Sequence, residues 1–259
     1  MLPDLDFYLV AVPAVLLVGL SKGGMGEALS LMGVPILSMA VSPVQAAALL
    51  LPILIAMDIV SLWFWRKHGD RKTLTMLLPG ALAGIAIGWA TSAYVPRDAL
   101  RLIIGAITVV FVLRYVYTVW KSRSGAAILP KQHRLGPAAL WGSFAGYGSF
   151  VAHAGGPPFQ IYALPLKLDP REYTGTIVRF FATLNAVKLI PYFALGQLDT
   201  SNLLTSATLF PLAMVATACG AWIVRRMKPQ VFYPFMYTMA FIAGSRLVWE
   251  GLGSLLAGI

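Results

Sequence analysis

A lysine and a glutamate lie inside the first apolar stretch of the sequence. Residues 21–27 read SKGGMGE, and the flanking segments 7–20 and 28–41 contain no charged residue. A charge at the centre of a bilayer costs about 2.5–3.5 kcal/mol on insertion scales, so Lys22 needs a compensating partner. An anionic ligand would compensate it, and so would a structural pair with Glu27 or Asp58. We favour the ligand, because charges within membranes are functional by default; for Glu27 we favour a structural helix cap.

The three glycines that follow Lys22 predict a break in the helix. Gly23, Gly24 and Gly26 let the backbone turn and expose its N–H groups. A half-helix predicted from about Glu27 would point its N-terminus, with a partial positive charge, at this break. The segment therefore suits a small anion, which these glycine amides and Lys22 would bind.

A second glycine-rich segment lies in the other half of the chain. Residues 149–158 read SFVAHAGGPP and contain no lysine. The candidate ligand contacts in this segment are Ser149, His153, Gly155 and Gly156. Histidine side chains titrate near neutral pH, so ligand contact, proton transfer and a purely structural role all stay open for His153.

The apolar stretch 174–195 carries three further candidates. Asn185 and Lys188 are three residues apart and therefore share a helix face, although Lys188 could instead extend to the membrane interface. Arg179 lies nearer the predicted cytoplasmic end, where it would neutralise the hairpin or meet an incoming anion. Asp58 is either the partner of one of the lysines or a carrier of a proton or cation.

The composition indicates a polytopic membrane protein. Of 259 residues, 58% are hydrophobic and 12% are charged, about half the charge of a soluble domain. The net charge of +10 is spread over short loops between apolar stretches, which argues against a nucleic-acid partner. No spacing typical of a metal site occurs, and we expect no cofactor.

Six apolar stretches are each about long enough to span a bilayer. They cover residues 44–65, 73–95, 99–120, 174–195, 203–224 and 231–252. Stretches 7–41 and 135–166 are too long for one helix and too short for two full crossings with a turn. Both are broken by glycines, so each is predicted to be a re-entrant hairpin or two short crossings.

Basic residues predict the orientation. They concentrate in three loops, which the positive-inside rule places in the cytoplasm: 66–72, 121–134 and 225–230. Four tryptophans beside these loops are predicted to be interfacial: Trp63, Trp65, Trp120 and Trp222. If each broken stretch crosses an even number of times, both termini lie outside.

The two halves of the chain repeat. The matched positions are GVP at 33–35 with GPP at 156–158, Ser42-Pro43 with Asp169-Pro170, Asp58 with Asn185, Gly69 with Gly196, Pro79 and Gly88 with Pro211 and Gly220, Pro96 with Pro229, and Arg114 with Arg246. The first half starts outside and the second inside, so these are inverted-topology repeats, as in many secondary transporters.

The predicted fold is all-α, with two inverted repeats in one integral membrane domain. Repeat 1 covers 1–120, a cytoplasmic linker covers 121–134, and repeat 2 covers 135–259. Each repeat is a broken or re-entrant helical hairpin followed by three transmembrane helices. In such folds the interrupted segments point to a substrate site near the midplane, so 20–27 and 149–157 are predicted to approach each other there.

Four segments resemble the TauE/SafE family of sulfite exporters: GLSKGGMG, SPVQAAALLLP, SFVAHAGGPP and VKLIPYFALGQLDTSNL. The resemblance covers nearly the whole chain. It implies a transporter of the bacterial inner membrane that exports sulfite or a related sulfur oxyanion or organosulfonate. The residues themselves predict only a small anion.

The sequence also allows functions other than sulfite export. The chain could be an anion channel or carry another small carboxylate or sulfonate. An intramembrane serine hydrolase would use Ser149 and His153, but the repeat and the two lysines would have no role in it. Coupling to protons or sodium and assembly into a homo-oligomer are left open by the sequence.

Overall fold

The computed structural model describes residues 4–91, 94, 97–122, 129–194 and 200–257. Within those ranges the secondary structure is helical, and no strand occurs. The chain forms two compact units: Met1–Asp70 with Pro170–Lys228, and Arg71–Asp169 with Pro229–Ile259.

Seven helical segments of the described chain are long and apolar enough to cross a membrane. Six of them overlap the predicted spans over most of their length and confirm them: α4 (Pro43–Phe64), α5 (Arg71–Thr91), α6 (Arg97–Ser122), α9 (Pro170–Ala194), α10 (Thr200–Val224) and α11 (Pro229–Ala257). The seventh is Leu5–Met25, at the start of the first broken stretch. It is long enough to cross because the break lies at its end and not at its middle.

Both broken stretches are interrupted as expected. The first consists of α1 (Leu5–Leu20), a π-helical turn (Ser21–Met25), α2 (Glu27–Ser30) and α3 (Gly33–Leu37). The second consists of α7 (Leu135–Val151), α8 (Gly156–Ala163) and a 3₁₀ turn (Leu164–Leu166). The predicted half-helix after Glu27 differs in the structure. It is divided into pieces of four and five residues, too short to build up much of a helix dipole.

The first unit packs α1, α3, α4 and α10 around a shared apolar core. Phe7 and Val15 of α1, Leu37 of α3, Ile53 of α4 and Leu209 of α10 are all buried in it. Close to the break, α1 approaches α10 so tightly that side chains would clash. A Cβ on Gly19 would meet Ala216, and one on Gly23 or Gly220 would meet the backbone of the facing helix. Such small-residue contacts are typical of helix packing in membranes.

The second unit is held by two helix pairs, α5 with α7 and α6 with α11. Gly84 of α5 and Gly146 of α7 each face the backbone of the other helix. The rings of Tyr115 on α6 and Tyr237 on α11 stack, with centroids 3.5 Å apart.

The compact units do not coincide with the two predicted repeats. Each unit combines helices from both halves of the chain: the first joins 1–70 to 170–228, and the second joins 71–169 to 229–259. Since helices of one repeat can pack on helices of the other, this division does not test the repeat boundaries. Two matched positions, Pro96 and Gly196, lie outside the described residues, as do residues 1–3 and 258–259.

The prediction for one tryptophan is wrong. Trp63, Trp120 and Trp222 are exposed, as interfacial residues would be, but Trp65 is fully buried. It follows the last residue of α4, Phe64, and its side chain turns inward to the break after α1.

Candidate functional site

The break after α1 depends on two glycines with positive φ. Gly24 has φ 124° and Gly26 has φ 95°, which residues with a Cβ rarely adopt. The hydroxyl of Ser21 donates a hydrogen bond of 2.8 Å to the carbonyl of Gly26 and so closes the turn. The helical backbone is therefore interrupted at Gly24, two residues after Lys22.

Two side chains at the C-terminal end of α4, one of them on its C-cap residue Trp65, bind the carbonyls at this break. Ser61 Oγ donates to the carbonyl of Lys22 at 2.8 Å, and Trp65 Nε1 donates to that of Gly23 at 3.1 Å. Unsatisfied backbone groups are costly where water is absent, so non-helical backbone needs such partners within a membrane. α4 therefore stabilises the break that presents Lys22.

Lys22 forms a buried ion pair with Asp58 of α4. Its Nζ lies 2.8 Å from Asp58 Oδ1, and the residues are 9% and 4% exposed. The other carboxylate oxygen, Oδ2, accepts a hydrogen bond of 2.6 Å from Asn185 Nδ2 of α9. The ring centroid of Phe181 lies 5.9 Å from the ammonium. Lys22, Asp58 and Asn185 thus form one cluster, which we call the charge cluster.

The ion pair is the structural alternative that the sequence left open beside a ligand. It compensates the Lys22 charge in the absence of an anion, and Asp58 is the lysine partner rather than an isolated acid. Of the other candidate partner, Glu27, only the backbone is described. Pairing with Asp58 leaves anion binding by Lys22 untested, because an anion would compete with the carboxylate for the same ammonium.

Lys188 is also enclosed by protein. It lies on α9 three residues after Asn185 and is 2% exposed. Its side chain therefore does not extend along the lipid surface, as the alternative interpretation required. The first unit thus contains two buried lysines, as well as the candidate glycines Gly23, Gly24 and Gly26.

Arg179 occupies a different place in the first unit. Its guanidinium donates to the carbonyls of Arg66, His68 and Gly175. Nearby, Glu172 accepts a hydrogen bond of 2.7 Å from the amide of Gly69. These contacts fasten the loop after α4 to α9, so Arg179 organises this loop and through it the end of α4.

The other four candidates lie in the second unit, at the break between α7 and α8. Ser149 is buried near the end of α7, and His153 has a positive φ of 53°. Gly155 precedes α8, and Gly156 is its first residue. The next two residues are prolines, which have no N–H to offer an anion. An approach of this segment to residues 20–27 stays a prediction.

Two residues of the first unit were missed as parts of the site. Ser61 is not among the residues predicted from the sequence to form the site, and Trp65 is predicted to lie at the interface. A usable signal exists in the sequence, because Asp58, Ser61 and Trp65 follow each other at intervals of three and four. Such residues share one helix face.

One comparison decides the family. The family model for the sulfite exporter TauE/SafE matches residues 11–247. The chain belongs to the TauE/SafE family. The matched region contains the charge cluster and both helix breaks. No curated protein and no solved structure matches the chain.

Membership of TauE/SafE gives the general function. The family consists of membrane transporters and not of enzymes, so the serine hydrolase alternative is removed. With seven apolar helices in the part of the chain that the structure describes, this TauE/SafE protein is a multi-pass membrane transport protein. Among the described residues, no group of His, Cys, Asp and Glu could hold a metal ion.

Proposed function

We propose that the chain is a secondary transporter that exports a small anion, sulfite or a related sulfur oxyanion or organosulfonate, across a bacterial inner membrane. The observation that carries the proposal is the charge cluster. In a TauE/SafE protein, a lysine at a helix break supplies a positive charge that can bind such an anion. The site lies near the membrane midplane, between the two repeats. Lys22 comes from repeat 1, and Asn185 and Lys188 come from repeat 2.

The substrate replaces Asp58 as the partner of Lys22. In the described structure the Lys22 ammonium is bound to the Asp58 carboxylate. An anion that approached this ammonium would therefore meet another negative charge 2.8 Å from the Lys22 Nζ. Protonation of Asp58, or binding of a sodium ion to it, removes that repulsion and frees Lys22. Anion and coupling cation therefore bind together, and the charge at the pair stays balanced for a monovalent anion.

Further groups complete the anion site. Lys188 supplies a second positive charge, and the amides of Gly23, Gly24 and Gly26 donate hydrogen bonds. Ser149, His153, Gly155 and Gly156 contribute from the second helix break. Charge-assisted hydrogen bonds of this kind are each worth about 1.5–3 kcal/mol, so a few of them suffice to bind a small oxyanion.

The two inverted repeats supply alternating access to this site, with both termini outside and the three basic loops in the cytoplasm. The packing within each unit supports the repeat. In the first unit the helix before the break, α1, packs on α10, and in the second unit α7 packs on α5. Both contacts join the first helix of one half to the second of the three long helices that follow the break in the other half. Both are made through glycines.

The test is transport by the purified protein in proteoliposomes. Vesicles are loaded with labelled sulfite, an organosulfonate, acetate or chloride, and efflux is followed with and without proton and sodium gradients. The expected result is efflux of the sulfur anions that depends on one of the two gradients. Equal efflux of acetate would make the protein a carboxylate carrier, and efflux indifferent to both gradients would make it a channel.

The variant for this assay is the double exchange Lys22→Met with Asp58→Asn, which removes both charges without stranding either. Efflux should fall about ten- to a hundred-fold, the equivalent of one charge-assisted contact. Asp98→Asn is the control, because Asp98 forms a partly exposed pair with Arg101 outside the charge cluster. Wild-type efflux by the double variant would refute the site.

A further inference from the structure

A second group of cations lines a cavity in the other compact unit. The cavity has a volume of about 440 Å³ and runs along one face of α6, where its lining includes Ile107, Val110 and Arg114. Its remaining walls include Ile161 of α8, Lys131 before α7 and Lys167 after the 3₁₀ turn. None of these cations belongs to the proposed transport site.

The lining of the cavity changes from apolar to basic along its length. Ile107 and Val110 lie towards the middle of α6, whereas Arg114 lies about 10 Å further along, at 1.5 Å per residue. Lys131 and Lys167 both lie outside the membrane-spanning helices. One end of the cavity is therefore apolar and near the middle of the span, and the other is basic and lies towards the end of α6, where Lys131 and Lys167 are outside the span.

Lys167 is held in a defined position. Its φ of 52° ends the 3₁₀ turn, and its Nζ lies 3.4 Å from Tyr115 Oη and 4.3 Å from the ring centroid of Tyr233. The amide of Lys131 donates to the carbonyl of Pro165 at 2.9 Å, which fixes the linker to the same turn. Partial burial lowers the pKa of the Lys167 ammonium, a cost that a bound anion would offset.

The three cations have no acidic partner among the described residues, where no carboxylate lies within ion-pair distance of Arg114, Lys131 or Lys167. No acidic residue lines the cavity either. Other cations of the same unit are paired, since Arg101 and Arg246 both contact Glu250. The cavity thus combines an uncompensated positive end with an apolar end.

We propose that this cavity binds an anionic phospholipid. Arg114, Lys131 and Lys167 contact the headgroup phosphate, and an acyl chain lies along Ile107, Val110 and Ile161. A free phosphate ion would use the basic end alone, whereas the mainly apolar lining within the span matches a molecule with a charged head and an apolar tail. Basic pockets between membrane helices commonly bind acidic headgroups. The proposal does not depend on which anion the protein transports.

The experiment measures lipid binding to the purified full chain by native mass spectrometry. Phosphatidylglycerol and phosphatidylcholine are titrated onto the wild type, Arg114→Gln and Lys131→Gln. These two variants leave the tyrosines around Lys167 in place. We expect phosphatidylglycerol to bind more tightly, and each variant to bind it about fivefold more weakly, as for one basic residue at a membrane surface. Lys72→Gln is the control, because Lys72 is exposed at the start of α5 in the same unit and does not line the cavity.

Three results would overturn the proposal. Equal affinity for the two lipids would show that the cavity does not discriminate between lipids by their headgroup charge. An equal loss in Lys72→Gln would show a general surface effect. Displacement of phosphatidylglycerol by equimolar inorganic phosphate would show that the site takes free phosphate and not a lipid.

Discussion

Replacement of Lys22 by Met should destabilise the protein strongly. Met keeps the length and apolarity of the lysine stem but removes the charge, so the Asp58 carboxylate loses its partner 2.8 Å away. Breaking a buried ion pair typically costs about 3–5 kcal/mol, since an uncompensated charge stays behind. Asn185 still donates to Asp58, which places the expected loss near the lower end, at about 3 kcal/mol.

A second exchange should restore most of this loss. Asp58→Asn in the Lys22→Met background removes the stranded charge, and Asn is nearly the same size as Asp. Asp58→Asn alone should be destabilising as well, because it strands the ammonium. The double-mutant cycle, measured by reversible unfolding in mixed detergent micelles, should therefore give a coupling energy of about 3 kcal/mol.

The control is the partly exposed pair of Asp98 and Arg101, whose side chains are 36% and 27% exposed. Exposed pairs contribute about 0–1 kcal/mol, so Asp98→Asn should change the stability little. A Lys22→Met protein as stable as the wild type, with no gain from Asp58→Asn, would refute the reasoning. If Lys22 had only an anionic ligand as its partner, as we favour from the sequence, Lys22→Met would instead leave the stability almost unchanged.

Three further predictions concern the break and the topology. Trp65→Phe should lower the free energy of unfolding by about 1–3 kcal/mol, because the buried carbonyl of Gly23 loses its donor. Gly24→Ala should cost a similar amount, about 1–3 kcal/mol, since alanine is strained at φ 124°; both losses can be measured by unfolding in detergent. Cysteines introduced into the loop 66–72 should react with impermeant reagents from the cytoplasmic side, and one at residue 2 from the outside.

Each of these predictions has its own control. Trp63→Phe removes a tryptophan that is 61% exposed and should change stability little. Gly136→Ala places a Cβ where no atom lies within 4 Å, so a loss there as large as at Gly24 would contradict the backbone argument. The labelling requires Cys219→Ser, because the native cysteine is exposed. A cytoplasmic label at residue 2 would break the inverted topology.

Much of the fold could be predicted because membrane helices are strongly constrained by length and hydropathy. α4 is predicted within one residue at each end, since Ser42-Pro43 is a strong helix start and Trp65 precedes a basic loop. The glycines within the stretches 7–41 and 135–166 also predicted both helix breaks. The C-terminal end of α1 was harder to predict, because an apolar stretch does not indicate at which glycine the helix ends.

The partners within the site could be predicted only in part. Lys22 and Asp58 are 36 residues apart, so their contact depends on how α1 and α4 pack and not on any local pattern. The sequence therefore offers Asp58 as one of two acidic partners, the other being Glu27. Trp65 was assigned to the interface because tryptophans next to basic loops are usually found there, and only the packing of α4 against the break shows its actual role.

The contact between Asp58 and Asn185 has a geometric consequence. These residues are matched to each other by the repeat, and they are also hydrogen-bonded at 2.6 Å. Under a two-fold relation, a residue touches its own equivalent only where the axis passes. The proposed inverted repeat would then have its axis at this hydrogen bond, parallel to the membrane plane.

A pair on such an axis cannot remain identical without cost. Two aspartates there would place like charges in contact, and two asparagines would leave Lys22 without an acid. A single chain can hold Asp58 on one side and Asn185 on the other, whereas a symmetric dimer of identical halves cannot. Breaking the symmetry at this one contact would leave a single carboxylate on the axis, and Lys22 is the cation that pairs with it.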